Sequence, residues 1–451
     1  RLYRERSVAP VHVLVGAHQH CVHSSFSVAV STMLRILARP SWPALHQLAN
    51  GTSSGPPLQM ASHLMGDVHV SSKFMPVMSS GGVREASQFA ITNAGVSQGA
   101  GGRSSASGIT ATVFGGYGFV GSYVVNELGR RGSQVIVPSR TTDIKTQHIK
   151  QMGDLGQIVM LNDFSLKDTD FIKRAIARSN VVINLVGQRT ETMNFTFDDV
   201  HAEWPKRLAK VVAEAGHVER FVHFSDIAAS PDHASRRMRS KAAGDKAVRE
   251  LVPSATIMKP APIVGIEDYF FNAIIHQVSY SLTAPLVENG AGRVQPAFVL
   301  DVSHAVMEAL RSKDAAGKDF YLGGPEVLTY RQVYDVIIKT LRLRTDDTIP
   351  IPAWLARLMY GPTDWARRSL PPMPMDSWMF SSDYVEEVLA PKVVPAGALG
   401  FDALGINPMA VTEGLPIEPV RHFRAGGYGW GDMSQVADKV PEEIKKYYNL
   451  K

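Results

Sequence analysis

Cysteine is almost missing from this chain. Cys21 is the only one in 451 residues. Past that position, intrachain disulfides, thiol nucleophiles and thiolate metal sites are excluded. Long apolar runs are missing too. Nowhere do eighteen apolar residues follow one another, so no transmembrane helix is predicted, while peripheral association with a membrane stays open. Acids are scarce in residues 1–100, where Glu5, Asp67 and Glu85 face seven Lys/Arg (Arg1, Arg4, Arg6, Arg35, Arg39, Lys73, Arg84). That stretch carries +4 of the overall +5, which leaves about +1 for the other residues. A near-neutral remainder gives a nucleic-acid partner no electrostatic support. Tyrosine is absent between Tyr123 and Tyr269, so no phenol is available to any element in that interval.

What is present divides the chain in two textures. Residues 1–100 are rich in Ser, His, Met and Gly and show no sustained periodicity, and residues 1–107 are expected to be transit peptide and linker, largely disordered. An acid-poor, Arg- and Ser-bearing N-terminus fits an organelle transit peptide, followed by a linker around Ser79–Gly82 and Gly99–Gly108. His18, His20 and His23 form no fixed ligand set, so a polar tail accounts for them better than a metal site. From Thr110 short apolar runs alternate with helix-length amphipathic segments, as in a parallel sheet covered by helices.

Strands are predicted at Thr110–Phe114, Gln134–Val137, Ile158–Leu161, Val181–Val186, Arg220–Phe224 and Ala255–Met258, with helices between most of them. Continuous apolar strands are buried on both faces. The pattern predicts an α/β, Rossmann-type doubly wound parallel sheet over residues 108–265. Residues 266–451 are prolyl-rich and irregular, and are expected to form a smaller, mostly helical lobe with a tail helix at Pro441–Tyr448. Asp301 is expected to cap one helix of this lobe and Thr329 another. The segment Ala353–Tyr360, followed by Arg367 and Arg368, fits a membrane surface, a partner or core packing equally.

The chemistry begins after the first strand. Gly115-Gly116-Tyr117-Gly118-Phe119-Val120-Gly121 contains the spacing GxxGxxG. Gly115 permits the tight turn, Gly118 lets backbone approach a pyrophosphate, and Gly121 allows close helix packing. The loop follows a strand and opens a helix, and the helix N-terminus offers N–H groups to phosphates. Where an NAD site usually ends its second strand in Asp or Glu, this chain has Ser139-Arg140. Arg140 suits a 2′-phosphate through charge-assisted bonds, with Ser139 as a hydroxyl donor, so NADPH is the expected cofactor.

These residues, together with Gly102-Arg103-Ser104-Ser105, Met152-Gly153-Asp154-Leu155-Gly156-Gln157 and Asn180–Gly187, resemble the atypical short-chain dehydrogenase-like accessory subunits of mitochondrial complex I, the family of subunit nine of its alpha subcomplex. The resemblance is close over residues 100–330 and loose elsewhere. It implies a tightly held NADPH, a matrix-side position at the inner membrane, other complex I subunits as partners, and a structural role. By the same resemblance the glycine loop with Tyr117, Phe119 and Val120, then Ser139 and Arg140, Asp163, the run Asn184, Leu185, Val186 and Gly187, Ser225 and Lys241 all line the cofactor.

Active short-chain dehydrogenases place a tyrosine four residues before the lysine, on one helix face. The phenol exchanges a proton with the substrate carbonyl. Four residues before Lys241 this chain has Arg237, which stays protonated and cannot do so. The expected protein is therefore not an enzyme but a cofactor platform without its proton donor. The alternative is an NADPH-dependent reductase or epimerase of the extended short-chain class. His223, inside an apolar strand, is expected to be buried and satisfied.

Overall fold

The computed structural model describes residues 102–140, 146–280, 284–341, 348–369, 379 and 381–423. The transit peptide, Cys21, the histidine-rich stretch and the tail helix of the sequence reading lie outside these residues.

Seven strands form one parallel sheet: β1 (Thr110–Phe114), β2 (Gln134–Pro138), β3 (Ile158–Leu161), β4 (Val181–Asn184), β5 (Arg220–Phe224), β6 (Thr256–Pro260) and β7 (Asp319–Leu322). Their order is β7-β6-β5-β4-β1-β2-β3, and every neighbouring pair is parallel. Chain direction reverses its progress across the sheet between β1 and β4, the switch point where doubly wound sheets bind ligands.

The helices of the sheet are α1 (Phe119–Arg130), α2 (Thr169–Ile176), α3 (Trp204–Ala215), α4 (Arg236–Leu251) and, later in the chain, α6 (Val299–Arg311). Alternation along β1 assigns the layers. Ala111 and Val113 pack with Val124 and Leu128 of α1 and Val302 and Val306 of α6. Phe114 points the other way, into Phe171, Trp204, Leu208 and Val248 of α2, α3 and α4. Both faces are thus dry at the central strands β1 and β4, which is why these read as apolar runs, while the edge strand β3 is partly exposed. Asp168 starts α2 by accepting from the Phe171 N–H at 3.0 Å, and Gly132 stops α1 with φ +75°.

Three sequence expectations are corrected here. β4 ends at Asn184, two residues early, because the Asn184 side chain accepts the Val186 N–H at 3.3 Å and turns the chain. Asp301 lies inside α6, not at its cap. It is buried and accepts from the Met409 N–H at 2.8 Å, and burial lifts its carboxyl to about 6. The sheet also gains β7, from beyond residue 265. Its Asp319 pairs with Lys259 at 2.9 Å and with Arg249, so a charged residue sits in a strand without cost to the core.

The second core belongs to the C-terminal helices α5 (Phe271–Tyr280), α7 (Tyr330–Leu341), α8 (Ala353–Ser369) and α9 (Ser382–Leu389). It is built from Phe271, Ile274, Tyr334, Ile337, Tyr384 and Val385. Thr329 caps the start of α7 as expected, and the Gln332 side chain accepts from the Thr329 N–H in return to complete a capping box. α8 mixes buried Ala356 and Tyr360 with exposed Trp354, Leu358 and Trp365. No described helix is long and apolar enough to cross a membrane.

Candidate functional site

The site is built where β1 and β4 end side by side. Gly115 leaves β1 with φ +81°. A Cβ there would lie 3.0 Å from the Leu185 carbonyl, so loop and β4 end meet at backbone distance. A Cβ on Gly121 would fall 2.2 Å from the Gly115 oxygen. The close packing that Gly121 permits is therefore of the α1 N-terminus on the loop. Gly118 donates to Gly115 O at 3.0 Å and stands at the N-cap of α1 without a side-chain cap. A Cβ on it would meet only that oxygen, at 3.3 Å.

Arg140 is exposed at the end of β2, and its Nε and Nη2 donate to the Tyr117 hydroxyl at 3.4 and 3.3 Å. The structure thus joins the loop to the expected specificity residue. Ser139 is fully buried, with its backbone tied to Leu161 O and the Phe164 N–H, so Arg140 alone of the two faces outward. Asp163 is exposed past β3 in a left-handed conformation, φ 66°. The Asn184 side chain is used internally. It accepts from Trp204 Nε1 at 3.0 Å and contacts His223 Nδ1 at 3.0 Å. His223 is buried and also faces Asp245 at 3.4 Å, the satisfied histidine expected.

Ser225 and Lys241 come together. Lys241 Nζ donates to the Ser225 carbonyl at 3.0 Å and lies 3.8 Å from Asp226. Burial lowers the Lys241 pKa, with Asp226 acting the other way. The Ser225 hydroxyl is already committed, donating to Asp245 at 2.7 Å. Arg237, one turn before Lys241, points to α9, where its Nε meets Glu387 at 2.7 Å and Lys392 meets the same carboxylate at 2.8 Å. Burial opposes the charge on Arg237, but Glu387 more than reverses this and holds the guanidinium above its usual range. Glu387, although buried, is held well below the ordinary carboxylate range by Arg237 and Lys392.

Sequence reasoning missed two residues. Arg189 follows the β4 end. Its guanidinium lies 3.4 Å from the Tyr269 ring centroid, and Nη1 is buried without a hydrogen-bond partner. Burial, then the Arg237 charge, lowers its pKa to about 10, so it remains a cation at neutral pH. His201 accepts from the Gln188 N–H through Nε2 at 3.0 Å and contacts Ser240 Oγ through Nδ1 at 3.1 Å. Burial, with Lys241 and Arg237 nearby, keeps it neutral. The only signal for Arg189 was a basic residue just past a strand end; His201 gave none.

One observation fits this site to a dinucleotide: the glycine cradle leaves backbone open beside a helix N-terminus. Among the described residues no cluster of His, Cys, Asp and Glu suits a metal.

Fold and loop together define a nicotinamide-dinucleotide-binding protein of Rossmann type. The profile of the NAD dependent epimerase/dehydratase family matches residues 111–323. The mitochondrial NADH dehydrogenase (ubiquinone) 1 alpha subcomplex subunit 9 of Rattus norvegicus is 39% identical over 360 residues, 79% of this chain and 91% of its own length. That of Arabidopsis thaliana is 38% identical over 349 residues, 77% of this chain and 85% of its own. The 40 kDa subunit of NADH-ubiquinone oxidoreductase of Neurospora crassa is 32% identical, covering 81% of this chain and 93% of its own. Among solved structures, the UDP-glucose 4-epimerase of Thermotoga maritima gives a TM-score of 0.49 at 16% identity, over 70% of this chain and 98% of that one. The chain belongs to the family of alpha subcomplex subunit 9 of mitochondrial NADH dehydrogenase.

Proposed function

We propose that this chain is a non-catalytic, NADPH-holding accessory subunit of mitochondrial NADH:ubiquinone oxidoreductase, complex I, with other subunits of that complex as its partners. It sits on the matrix side of the inner membrane, and residues 1–107 serve as transit peptide and linker. Arg140 selects the 2′-phosphate, while the glycine loop and the N-terminus of α1 hold the pyrophosphate. The observation that carries the non-catalytic reading is Arg237. It stands where the active class keeps its phenol, and its charge is locked by Glu387. A protonated, ion-paired guanidinium neither gives nor takes a proton at a carbonyl.

The test is a turnover assay on the purified chain loaded with NADPH and offered a panel of aldehydes, ketones and sugar nucleotides. The expected result is no loss of reduced nicotinamide absorbance beyond the protein-free blank. Sustained oxidation that disappears in Lys241→Ala would overturn this reading in favour of a reductase.

A further inference from the structure

Two motifs singled out in the sequence are not used by the cofactor site. Gly102–Ser105 precedes β1, and Met152–Gln157 precedes β3. The sheet is parallel throughout, so both lie at the edge opposite the glycine loop. There they fold against one another. Ser104 Oγ donates to Asp154 at 2.7 Å, and the Gln157 side chain donates to the Arg103 carbonyl. Within the turn, Asp154 N–H meets Gln157 Oε1 at 2.9 Å and Gln157 N–H meets Asp154 O at 3.0 Å. The Met152 carbonyl lies so close to α1 that a Cβ on Gly129 would come within 2.3 Å of it.

This bracing presents Leu155, whose side chain stands wholly in solvent at 106% relative exposure. A leucine in a loose tip costs little and means little. Here four hydrogen bonds and a glycine contact fix the turn around a leucine that serves no interior of this chain. A rigid convex apolar knob fits a recess, because its ordering cost is met before binding.

We propose that the Met152–Gln157 turn, with Leu155 at its tip and exposed Arg103 beside it, is a docking knob for another protein chain. That chain presents an apolar recess with a carboxylate at its rim. A lipid surface is a poorer match, since one leucine gives little area to bury in a bilayer. The proposal rests on membership of complex I and assigns one contact surface within it.

The test expresses the full chain in cells lacking their own copy and follows its co-migration with the large complex on native gels. Leu155→Glu is expected to lower the co-migrating fraction about tenfold, as loss of a buried interface anchor does. Leu155→Met should retain it, and the purified Leu155→Glu chain should unfold at the wild-type temperature. Co-migration of Leu155→Glu at the wild-type level overturns the proposal. A lowered unfolding temperature would make Leu155 a structural residue and overturn it equally. Sedimentation with phosphatidylserine vesicles that Leu155→Glu abolishes would assign the turn to lipid instead. A wild-type chain that fails to co-migrate overturns the subunit reading and the proposal with it.

Discussion

Arg140 and Arg237 carry opposite lessons about a single side chain. At the end of β2 an acid would accept the ribose 2′-hydroxyl and repel a 2′-phosphate. In the proposed site Arg140 would reverse that preference, and the Tyr117 hydroxyl stands within hydrogen-bond reach of its guanidinium. Arg140→Asp is therefore expected to weaken NADPH binding by roughly tenfold to a hundredfold, the worth of a charge-assisted bond, with a far smaller loss for NADH. Paired titrations of the two nucleotides check this, and equal losses would remove Arg140 from the specificity role. Arg140 was legible because motif spacing fixes its place. Arg189 was not, because only the fold shows that its Nη1 is buried and orphaned.

At the scale of elements, the contact between α4 and α9 decides the character of the site. Ser235 and Arg237 of the α4 segment bond to Asp383 and Glu387 of α9. Removing the charge of Glu387 leaves Arg237 and Lys392 buried without their shared ion-pair partner. Glu387→Gln should cost about 3–5 kcal/mol at neutral pH, the usual penalty for breaking a buried pair from one side. The carboxyl of Glu387 lies lower in the folded chain than its ordinary 4.5. Its contribution is therefore fully present above that value and lost as the pH falls below it. Urea unfolding of wild type and variant should show a difference that is largest near pH 7 and shrinks below pH 4.5. A gap under about 1 kcal/mol, or one that widens in acid, would contradict the assignment. The missing tyrosine could be read from the sequence. Its ion-pair partner could not, since Glu387 lies 150 residues away and nothing local marks it.

At the scale of the molecule, the sheet draws on both segments of the chain. Strands such as β1, β2 and β4 were legible because burial on both faces writes itself as apolar runs, and β3 reads as one too although it is a partly exposed edge strand. The seventh, Asp319–Leu322, was not. It is four residues long, begins with an acid, and is defined by pairing with β6 and by the basic partners of Asp319. α6 likewise comes from beyond residue 265 and seals the face that α1 begins. Cofactor platform and C-terminal helices are thus joined by β7, by α6 and by the Arg237 pair. A ligand held between such elements stabilises them by mass action.

The most direct measurement is of what the native protein carries. The chain is purified without added nucleotide, denatured, and the released small molecules are identified by mass and absorbance. Stoichiometric NADPH is predicted. An empty site, or NAD(H) in its place, would contradict the account.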